Sequence, residues 1–365
     1  MKTVTIGDFK AELLKGTPII DVRAAIEFKM GSIPGSINIP VLNDQERHDV
    51  GTCFKVKGQA AAIELGHQLV SGENLEQKRN AWKLELAKNP NTIITCFRGG
   101  LRSQSTQKFL QDVGVETTRL AKGYKSARQF FIDHLQTFSN ETPMLILSGT
   151  TGSGKTHVIN QIKDVYPTVD LEGFAHHRGS AFGAWSIPQP AQVDFENRLS
   201  LATMKIAASL NRPLLVEDES RLIGSCHVPE YFFLKMREAP LVLIDEPVAV
   251  RVENIFEDYI SSLINKESSA EQATALFAKY KNSVLKIQKK MGGLRAQELL
   301  LDLGAAENDF TQNQGFEKNK VWIEKLLVWY YDSMYLSSLE QRRPNILFKG
   351  TRQQVTAFLQ AKSEL

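Results

Sequence analysis

The stretch MLILSGTTGSGKT, residues 144 to 156, joins a short apolar run to a glycine-rich loop that ends in lysine and threonine. The segment that follows, from Thr156 to Val165, is predicted to be a helix. A strand, a loop of the form GxxxxGKT and a helix, in this order, are typical of a phosphate-binding loop (P-loop). Further strand candidates then alternate with helices, so this part of the chain is predicted to have an α/β fold.

The loop predicts how a phosphate group would be held. Its backbone N–H groups would surround the phosphate oxygens, Lys155 would neutralise their charge, and the Thr156 hydroxyl could bind Mg²⁺. A chance glycine-rich turn is the alternative, and both the spacing and the context count against it. The motif leaves open whether the ligand is a nucleotide or a diphosphate. The predicted phosphate-binding residues are Gly149, Thr150, Thr151, Gly152, Ser153, Gly154, Lys155 and Thr156.

An acidic residue at the end of a second strand should face the metal of such a site. Two segments end in acids: LLVEDE at 214–219 and LVLIDE at 241–246. We prefer Asp218, with Glu217 beside it, as the contact to Mg²⁺ or substrate. The acids of the other segment would then be surface acids at a helix start.

His176, His177 and Arg178 follow another predicted strand and lie next to a glycine. We interpret them as contacts to an anion or a substrate. Metal binding is disfavoured, because adjacent histidines do not share a helix face and the sequence supplies no obvious further ligands. The pair Cys226-His227 is interpreted as structural or incidental.

The stretch TCFRGGLRSQST, residues 95 to 106, places Cys96 between an apolar run and a predicted helix. A loop that enters a helix turns its N–H groups inward, and the helix N-terminus adds partial positive charge. Together with Arg98 and Arg102, this predicts that Cys96 is a nucleophile facing an anionic donor. Gly99 and Gly100 would let the backbone approach that donor closely. The alternative is a buried, inert cysteine at a strand end.

Residues before this loop resemble the rhodanese family. The resemblance rests on PIIDVR at 18–23, on EF at 27–28 and on GSIPGSINIP at 31–40, where Ser32 replaces the usual histidine. It implies a parallel α/β sheet with Cys96 as the sulfur-carrying residue. The alternating pattern supports that fold. The predicted strands are Thr3–Ile6, Pro18–Val22, Ser36–Ile39, Thr92–Thr95 and Thr117–Leu120, and the predicted helices are Ala60–Val70, Leu75–Leu86, Ser103–Val113 and Tyr124–Leu135.

The loop from Cys96 to Arg102 is one residue longer than in rhodaneses that transfer sulfur. A longer loop is found in related phosphatases, so the resemblance implies room for a tetrahedral phosphorus donor. Asp21 and Arg23 are interpreted as a buried pair that pins a loop, rather than as catalytic residues.

Length and composition favour a multidomain globular enzyme. The chain has 365 residues, of which 42% are hydrophobic and 23% charged, and this suggests about two or three domains. We predict a rhodanese-like domain at 1–136, a linker at 137–143, a P-loop α/β core at 144–247 and a mostly helical C-terminal extension at 248–365. No apolar run reaches the ~20 residues of a membrane helix, and the N-terminus lacks a signal-peptide pattern, so we expect a cytoplasmic protein.

The net charge of +3 does not by itself require a nucleic-acid partner. Basic and aromatic side chains in the helical extension would suit RNA phosphates and bases. A solvated helix face and an aromatic core are the alternatives. The residues concerned are Lys279, Lys281, Lys286, Lys289, Lys290, Arg295, Trp322, Trp329, Tyr330, Tyr331 and Tyr335.

Four motifs in one chain resemble the tRNA 2-selenouridine synthase family: CFRGGLRS at 96–103, GTTGSGKT at 149–156, HHRGSAFG at 176–183 and VEDESRLIG at 216–224. The resemblance implies a tRNA substrate with 2-thiouridine at the wobble position. It implies geranylation from geranyl diphosphate, then replacement of the S-geranyl group by selenium from selenophosphate. Cys96 would accept selenium as a perselenide or assist its delivery, and an enzyme that supplies selenophosphate is a candidate partner.

Two other functions fit parts of the pattern. One is a rhodanese-type sulfurtransferase fused to an ATP-dependent tRNA-modifying or kinase-like P-loop domain, which would use a nucleotide and no selenium. The other is a regulatory protein with a P-loop switch and a non-catalytic rhodanese module. The intact loop of Cys96, with both of its arginines, counts against the regulatory reading.

Overall fold

The computed structural model describes residues 2–208, 210–264, 268–312 and 315–361. The chain divides into two compact units. The first contains Met1–Phe138 and Pro190–Ala208, and the second contains Ser139–Gln189 and Ser209–Leu365.

The first unit is built on five parallel strands in the order β1-β5-β4-β2-β3. The central strands read IID and IIT and are fully buried, as expected for a parallel sheet covered on both faces. The predicted α/β alternation is confirmed. The elements are β1 (Lys2–Val4), α1 (Ile6–Lys15), β2 (Ile19–Asp21), α2 (Ala25–Lys29), β3 (Ile37–Asn38), α3 (Asp44–Leu69), α4 (Gly72–Lys88), β4 (Ile93–Thr95), α5 (Leu101–Gln111), β5 (Thr118–Leu120) and α6 (Gly123–Glu141).

Helix α3 begins well before the predicted start at Ala60. Asn43 caps it, because the amide N–H of Glu46 donates to Asn43 Oδ1 at 2.8 Å and the Glu46 carboxylate accepts from the Asn43 N–H at 2.8 Å. At Gly58 the backbone has a φ of 84°, so the helix is interrupted by a kink. The sequence analysis found only the arm that follows this kink.

The linker predicted at 137–143 is largely helical, because α6 continues to Glu141. Phe131, Leu135 and Phe138 are spaced along one face of this helix and are buried, and this apolar face extends the helix beyond the polar residues. Pro143 then lies just beyond its end, where it cannot continue the helix.

The second unit has a five-stranded parallel sheet in the order β12-β11-β6-β8-β7. The predicted strand before the P-loop, β6, lies in the centre, so the loop is at the carboxyl end of the sheet. The first elements of this unit are β6 (Met144–Gly149), α7 (Lys155–Ile162), β7 (Thr168–Val169) and α8 (Leu171–Ala175).

Helix α9 (Gln192–Ala207) follows in the sequence but packs within the first unit. Its apolar face buries Phe195, Leu199 and Met204. The predicted P-loop core at 144–247 therefore contains a helix that completes the rhodanese-like unit. Apolar periodicity identifies a buried face, but it does not identify which unit covers that face.

The rest of the second unit contains three further strands of this sheet, β8, β11 and β12, and a helical cluster. Strands β9 and β10 form a separate antiparallel pair. The predicted helical extension is confirmed, and its last strand and helix rejoin the P-loop sheet. The elements are β8 (Leu214–Glu217), β9 (Leu222–Ile223), β10 (Cys226–His227), α10 (Glu230–Glu238), β11 (Leu241–Ile244), α11 (Val248–Phe256), a π-helical turn at Glu257–Ser261, α12 (Ala270–Met291), α13 (Gly293–Thr311), α14 (Asn319–Leu326), a second π-helical turn at Leu327–Tyr331, α15 (Asp332–Arg342), β12 (Ile346–Gly350) and α16 (Arg352–Ala361).

Candidate active site

Cys96 lies between the end of strand β4 and the start of helix α5. Its side chain is 3% exposed, and its thiol lies 3.2 Å from the Ser103 hydroxyl of the first turn of α5. The cysteine nevertheless lines a large cavity of the first unit. The burial of Cys96 within an apolar cluster fits the inert-cysteine alternative, whereas the cavity fits the nucleophile. The role of Cys96 as a nucleophile therefore stays a prediction.

The loop after Cys96 is held against the turn between β5 and α6. The amide N–H of Tyr124 donates to the carbonyl of Cys96 at 2.8 Å, and Arg119 donates to the carbonyl of Gly99 at 2.6 Å. Gly99 has a φ of 61°, and a Cβ at that position would lie 2.6 Å from the backbone nitrogen of Lys122. Only glycine fits there, and the close contact is to the backbone of the chain itself. The predicted approach of this backbone to an anionic donor stays a prediction.

The two arginines of the loop differ in their surroundings. Arg98 is exposed, whereas Arg102 donates to both carboxylate oxygens of Glu27. Although burial raises the pKa of Glu27, the hydrogen bonds and charge of Arg102 lower it below its ordinary value. Glu27 is therefore ionised and orients Arg102. The sequence pattern does not indicate this role. Both arginines line the cavity that Cys96 lines.

Asp21 and Arg23 form a buried ion pair, with Arg23 Nη2 2.6 Å from Asp21 Oδ2. Arg23 also donates to the carbonyl of Gly31 at 2.8 Å and lies over the ring of Tyr124. These contacts tie β2 to the following loop, which is the structural role that the sequence analysis preferred.

In the second unit, the P-loop wraps the N-terminus of α7. Gly152 and Gly154 have φ angles of 81° and 84°, which glycine adopts without strain. The Lys155 ammonium donates to the carbonyl of Gly149 at 3.0 Å. The loop thus has the predicted strand, turn and helix context, with its N–H groups at a helix N-terminus.

Helix α11 supports the P-loop from the side. Arg251 donates to the carbonyl of Thr151 at 2.9 Å, and Asn254 donates to that of Gly152 at 2.8 Å. Arg251 is buried and also pairs with Asp332, with a 2.5 Å contact. No local sequence pattern indicates these supports, because they lie about a hundred residues from the loop in the chain.

Three carboxylates lie beside the P-loop: Glu172, Glu217 and Glu219 have oxygens within 4.8 Å of one another. Glu217 is completely buried, and neither carboxylate oxygen has a hydrogen-bond partner among the described residues. The hydroxyl of Thr156 donates to Glu172 at 3.4 Å. Burial and then the neighbouring carboxylates raise the pKa of Glu217 well above its ordinary value, and burial with Glu172 raises that of Glu219 to about 8.

This donor set fits a divalent cation. Mg²⁺ binds carboxylate and hydroxyl oxygens, and a buried carboxylate without a partner is costly unless a cation or proton neutralises it. The cluster lies beside Thr156, where P-loop proteins hold their metal. Glu172, Glu217, Glu219 and Thr156 are therefore the residues that would hold Mg²⁺.

The preferred acid, Asp218, does not belong to this cluster. It pairs with Arg342, 3.0 Å away, and accepts from the Ser148 hydroxyl. Successive residues of an extended segment point to opposite sides, so Glu217 and Glu219 share one side while Asp218 faces the other. The acids of the second candidate segment are also engaged elsewhere, since Asp245 pairs with Lys349 and Glu246 accepts from the backbone N–H of Arg352.

The His-His-Arg segment lies against the carboxylate cluster through Gly179. A Cβ on Gly179 would overlap Glu219 and lie 3.0 Å from Glu172 Oε1. Arg178 donates to the carbonyl of Asp258 and lies over the ring of Tyr259. His176 stacks on Trp185, with the ring centres 5.7 Å apart. Burial lowers the pKa of His177, which favours its neutral form.

Comparisons with known proteins agree with both halves of the chain. A family model described as "tRNA 2-selenouridine synthase AAA domain" matches residues 142–365, and a rhodanese-like domain model matches residues 5–129. The protein named tRNA 2-selenouridine synthase from Nitrosomonas europaea (strain ATCC 19718) is 44% identical, with 98% of each chain covered. The chain belongs to the tRNA 2-selenouridine synthase family.

Other relatives with the same name support this family assignment. The protein from Bdellovibrio bacteriovorus (strain ATCC 15356) is 46% identical and that from Pseudomonas syringae pv. syringae (strain B728a) is 44% identical, each with 98% of both chains covered. The family predicted from the four motifs is confirmed, and so is a transferase that modifies tRNA.

In this member of the family, the aromatic residues proposed for RNA stacking largely form the helical core. Trp322 and Tyr330 are buried, and Trp329 and Tyr331 pack against the same cluster. Tyr335 lies 2.8 Å from the Ser148 hydroxyl. The core alternative is therefore correct for the two tryptophans, Tyr330 and Tyr331, which lie on the inner faces of packed helices. Tyr335 is not part of this cluster and makes a polar contact instead.

The basic residues of the extension divide into two groups. Lys281 pairs with Glu307, and Lys279 donates to the carbonyl of Ala184 at 2.6 Å. In contrast, Lys286, Lys289 and Lys290 are exposed near the end of α12. Arg295 is exposed as well and lies over the ring of Trp329. These four residues keep the exposure that a contact with RNA phosphate needs. In the described parts of the chain, no helix combines the length and apolar character needed to span a bilayer.

Proposed function

We propose that this chain converts 2-thiouridine at the wobble position of a tRNA to 2-selenouridine in two steps. Geranyl diphosphate first alkylates the sulfur, and selenium from selenophosphate then replaces the S-geranyl group. The observation that carries the proposal is the Cys96 thiol in a cavity wall together with Arg98 and Arg102. Selenophosphate is a tetrahedral anion, which guanidinium groups bind well. The P-loop supplies a second anion site for the diphosphate donor.

In the first step the sulfur of 2-thiouridine attacks the allylic carbon of geranyl diphosphate. The C–O bond breaks, diphosphate leaves with the electron pair, and the proton on N3 of the base passes to solvent. The N–H groups of the P-loop and Lys155 stabilise the charge that develops on the diphosphate. Mg²⁺ held by Glu172, Glu217 and Glu219 would add positive charge at the same place.

In the second step selenium attacks C2 of the base and the C2–S bond breaks. Geranylthiolate leaves and is protonated, N3 is protonated, and water cleaves the P–Se bond. One water thus supplies both protons and the fourth oxygen of phosphate. Sulfur and selenium keep their oxidation states, so no reductant is required. Selenophosphate is bound by Arg98, which is exposed, and by Arg102, which Glu27 orients. Cys96 assists the delivery of selenium.

Mass spectrometry of nucleosides tests both steps. Full-length protein is incubated with 2-thiouridine tRNA, geranyl diphosphate and selenophosphate, and the S-geranyl species should precede the seleno species.

Cys96→Ser should slow selenation of S-geranyl tRNA by at least about tenfold and leave geranylation unchanged. Lys155→Ala should slow geranylation. Full-rate selenation by Cys96→Ser would refute the role of Cys96, and unchanged geranylation by Lys155→Ala would refute that of the P-loop. Consumption of ATP without selenium incorporation would support the fused sulfurtransferase instead.

A further inference from the structure

The cavity beside Cys96 has a volume of about 1310 Å³. Small-molecule sites commonly measure about 300–1,000 Å³, so this cavity is larger than selenophosphate alone requires. Its walls combine two kinds of side chain. Cationic groups come from Arg98, Arg102 and Arg47, whereas Leu42, Ile63 and Phe54 are apolar. Such a mixture suits a ligand with an anionic part and a hydrocarbon part.

Helix α3 contributes Val50, Phe54, Ala62 and Ile63 to the apolar wall. Phe54 belongs to the arm before the kink at Gly58, and Ile63 belongs to the arm after it. Both residues line the cavity, so the kink places two helical arms around one space. This arm before Gly58 is the part of α3 that the sequence analysis missed.

Apolar side chains are also exposed along this cavity. Met30 is 72%, Phe54 54% and Leu101 49% exposed, and all three belong to the cavity lining. Several large apolar groups exposed around one concave site mark a binding surface, since isolated ones would carry no such meaning. The ligand therefore covers hydrocarbon as well as charge.

The chemistry of selenation identifies this ligand. Selenium must attack C2 of the base, the carbon that carries the S-geranyl group. The geranyl chain starts two bonds from C2, so it begins close to the selenium donor that Cys96 and the arginines hold. The chain must lie in whatever space adjoins the loop of Cys96, and that space has apolar walls. The second unit has another apolar cavity, lined by Thr151 and Tyr259 among others, but its volume is only about 20 Å³.

We propose that the cavity beside Cys96 binds the isoprenoid chain of an S-geranylated tRNA base and directs it away from the attacking selenium. This inference rests on the proposed function. The apolar wall of α3 holds the hydrocarbon, and the arginines hold selenophosphate and RNA phosphate. The cavity thereby selects for selenation a base that is already alkylated.

The test uses an anticodon stem–loop RNA that carries either S-geranyl- or S-methyl-2-thiouridine. The kcat/KM of selenation by the full-length protein is measured for both. Wild type should prefer the geranyl substrate by about tenfold or more, since each buried methylene contributes to binding. Phe54→Asp should lower kcat/KM for the geranyl substrate at least about tenfold more than for the methyl substrate, whose loss reports the added negative charge alone. Because Phe54 is exposed, the aspartate variant is expected to fold.

Two controls make the result specific. Leu84→Asp alters a side chain that is 65% exposed and outside the cavity lining, and both rates should stay at the wild-type value. Ile63→Trp fills the cavity and should act like Phe54→Asp. Geranylation of 2-thiouridine RNA by Phe54→Asp should decrease no more than selenation of the methyl substrate does.

The outcomes separate this inference from the function on which it rests. Wild-type protein that selenates neither RNA overturns the proposed function. Wild-type selenation with no preference for geranyl, or an equal loss of both substrates in Phe54→Asp, overturns the chain-binding cavity alone. A loss of geranylation in Phe54→Asp that exceeds the loss of methyl selenation also overturns it, because the cavity would then bind the geranyl diphosphate donor.

Discussion

Replacing Glu172 with glutamine should weaken Mg²⁺ binding and reduce its pH dependence. Glu217, Glu172 and Glu219 hold their oxygens within 4.8 Å of one another. At that separation of 4.8 Å, two unit charges repel by about 3.5 kcal/mol at an effective dielectric constant of ~20. Burial raises the pKa of Glu219 most, and repulsion from Glu172 adds to it, so this pKa is about 8 and the cluster retains protons.

Mg²⁺ binds the ionised cluster, so binding must release protons. A carboxyl group with a pKa of about 8 is ionised to about 1% at pH 6 and by about half at pH 8, so the affinity of the wild type should rise about fiftyfold over this interval. Glutamine at position 172 removes the charge that, after burial, raises the pKa of Glu219 most. The pKa of Glu219 then falls, so the affinity is weaker at pH 8 but changes less with pH.

Isothermal titration of the full-length protein with MgCl₂ at pH 6, 7 and 8 measures this effect. Two buffers with different enthalpies of ionisation give the number of protons released. Asp245→Asn is a matched control. Asp245 follows β11, which pairs with the other side of β6 from β8, and it forms an ion pair with Lys349 outside the cluster. Its titration should equal that of the wild type. A wild-type affinity that is the same at pH 6 and pH 8 would refute the reasoning.

Three further perturbations test the supports of the two sites. Asp21→Asn leaves Arg23 buried without its ion partner, and should lower the opening free energy of β2 and β4 by about 3–5 kcal/mol in hydrogen exchange. Arg251→Ala removes the contact to the P-loop and should weaken the binding of inorganic pyrophosphate by about tenfold, measured by calorimetry. Burial lowers the pKa of His134 from its ordinary 6.5 to about 4, so the folded state binds fewer protons between these values. The melting temperature should therefore fall as pH drops from 7 to 4, and less so in His134→Gln.

The P-loop could be predicted from sequence because all of its determinants are local. A strand, two glycines in left-handed conformation, Lys155 and Thr156 lie within a short stretch, and each has a fixed geometric role. The same holds for Cys96, whose strand, loop and helix are consecutive. The sequence therefore located both candidate sites, including the glycine at position 99 that no other residue could replace without overlap.

The acids and the cavity wall could not be assigned in the same way. The choice between Glu217 and Asp218 depends on which side of β8 faces Thr156, and two adjacent acids give no local signal for that. Glu172 joins the cluster only through the fold. The apolar wall of α3 depends on the kink at Gly58, where one glycine within a helical pattern does not by itself distinguish a tolerated residue from a break.

Ser32 replaces the histidine that is usual in rhodaneses, and it forms hydrogen bonds with helix α9. Its amide N–H and hydroxyl both donate to Asp194 Oδ1, at 2.7 and 3.0 Å, and Asn197 returns a hydrogen bond of 2.7 Å to its carbonyl. Both partners lie on α9, which the chain supplies only after the P-loop. Met204 of the same helix is buried in one cluster with Phe131. The first unit thus cannot complete its core until residues beyond the P-loop are synthesised, and a domain boundary drawn from the motifs alone divides one folding unit in two.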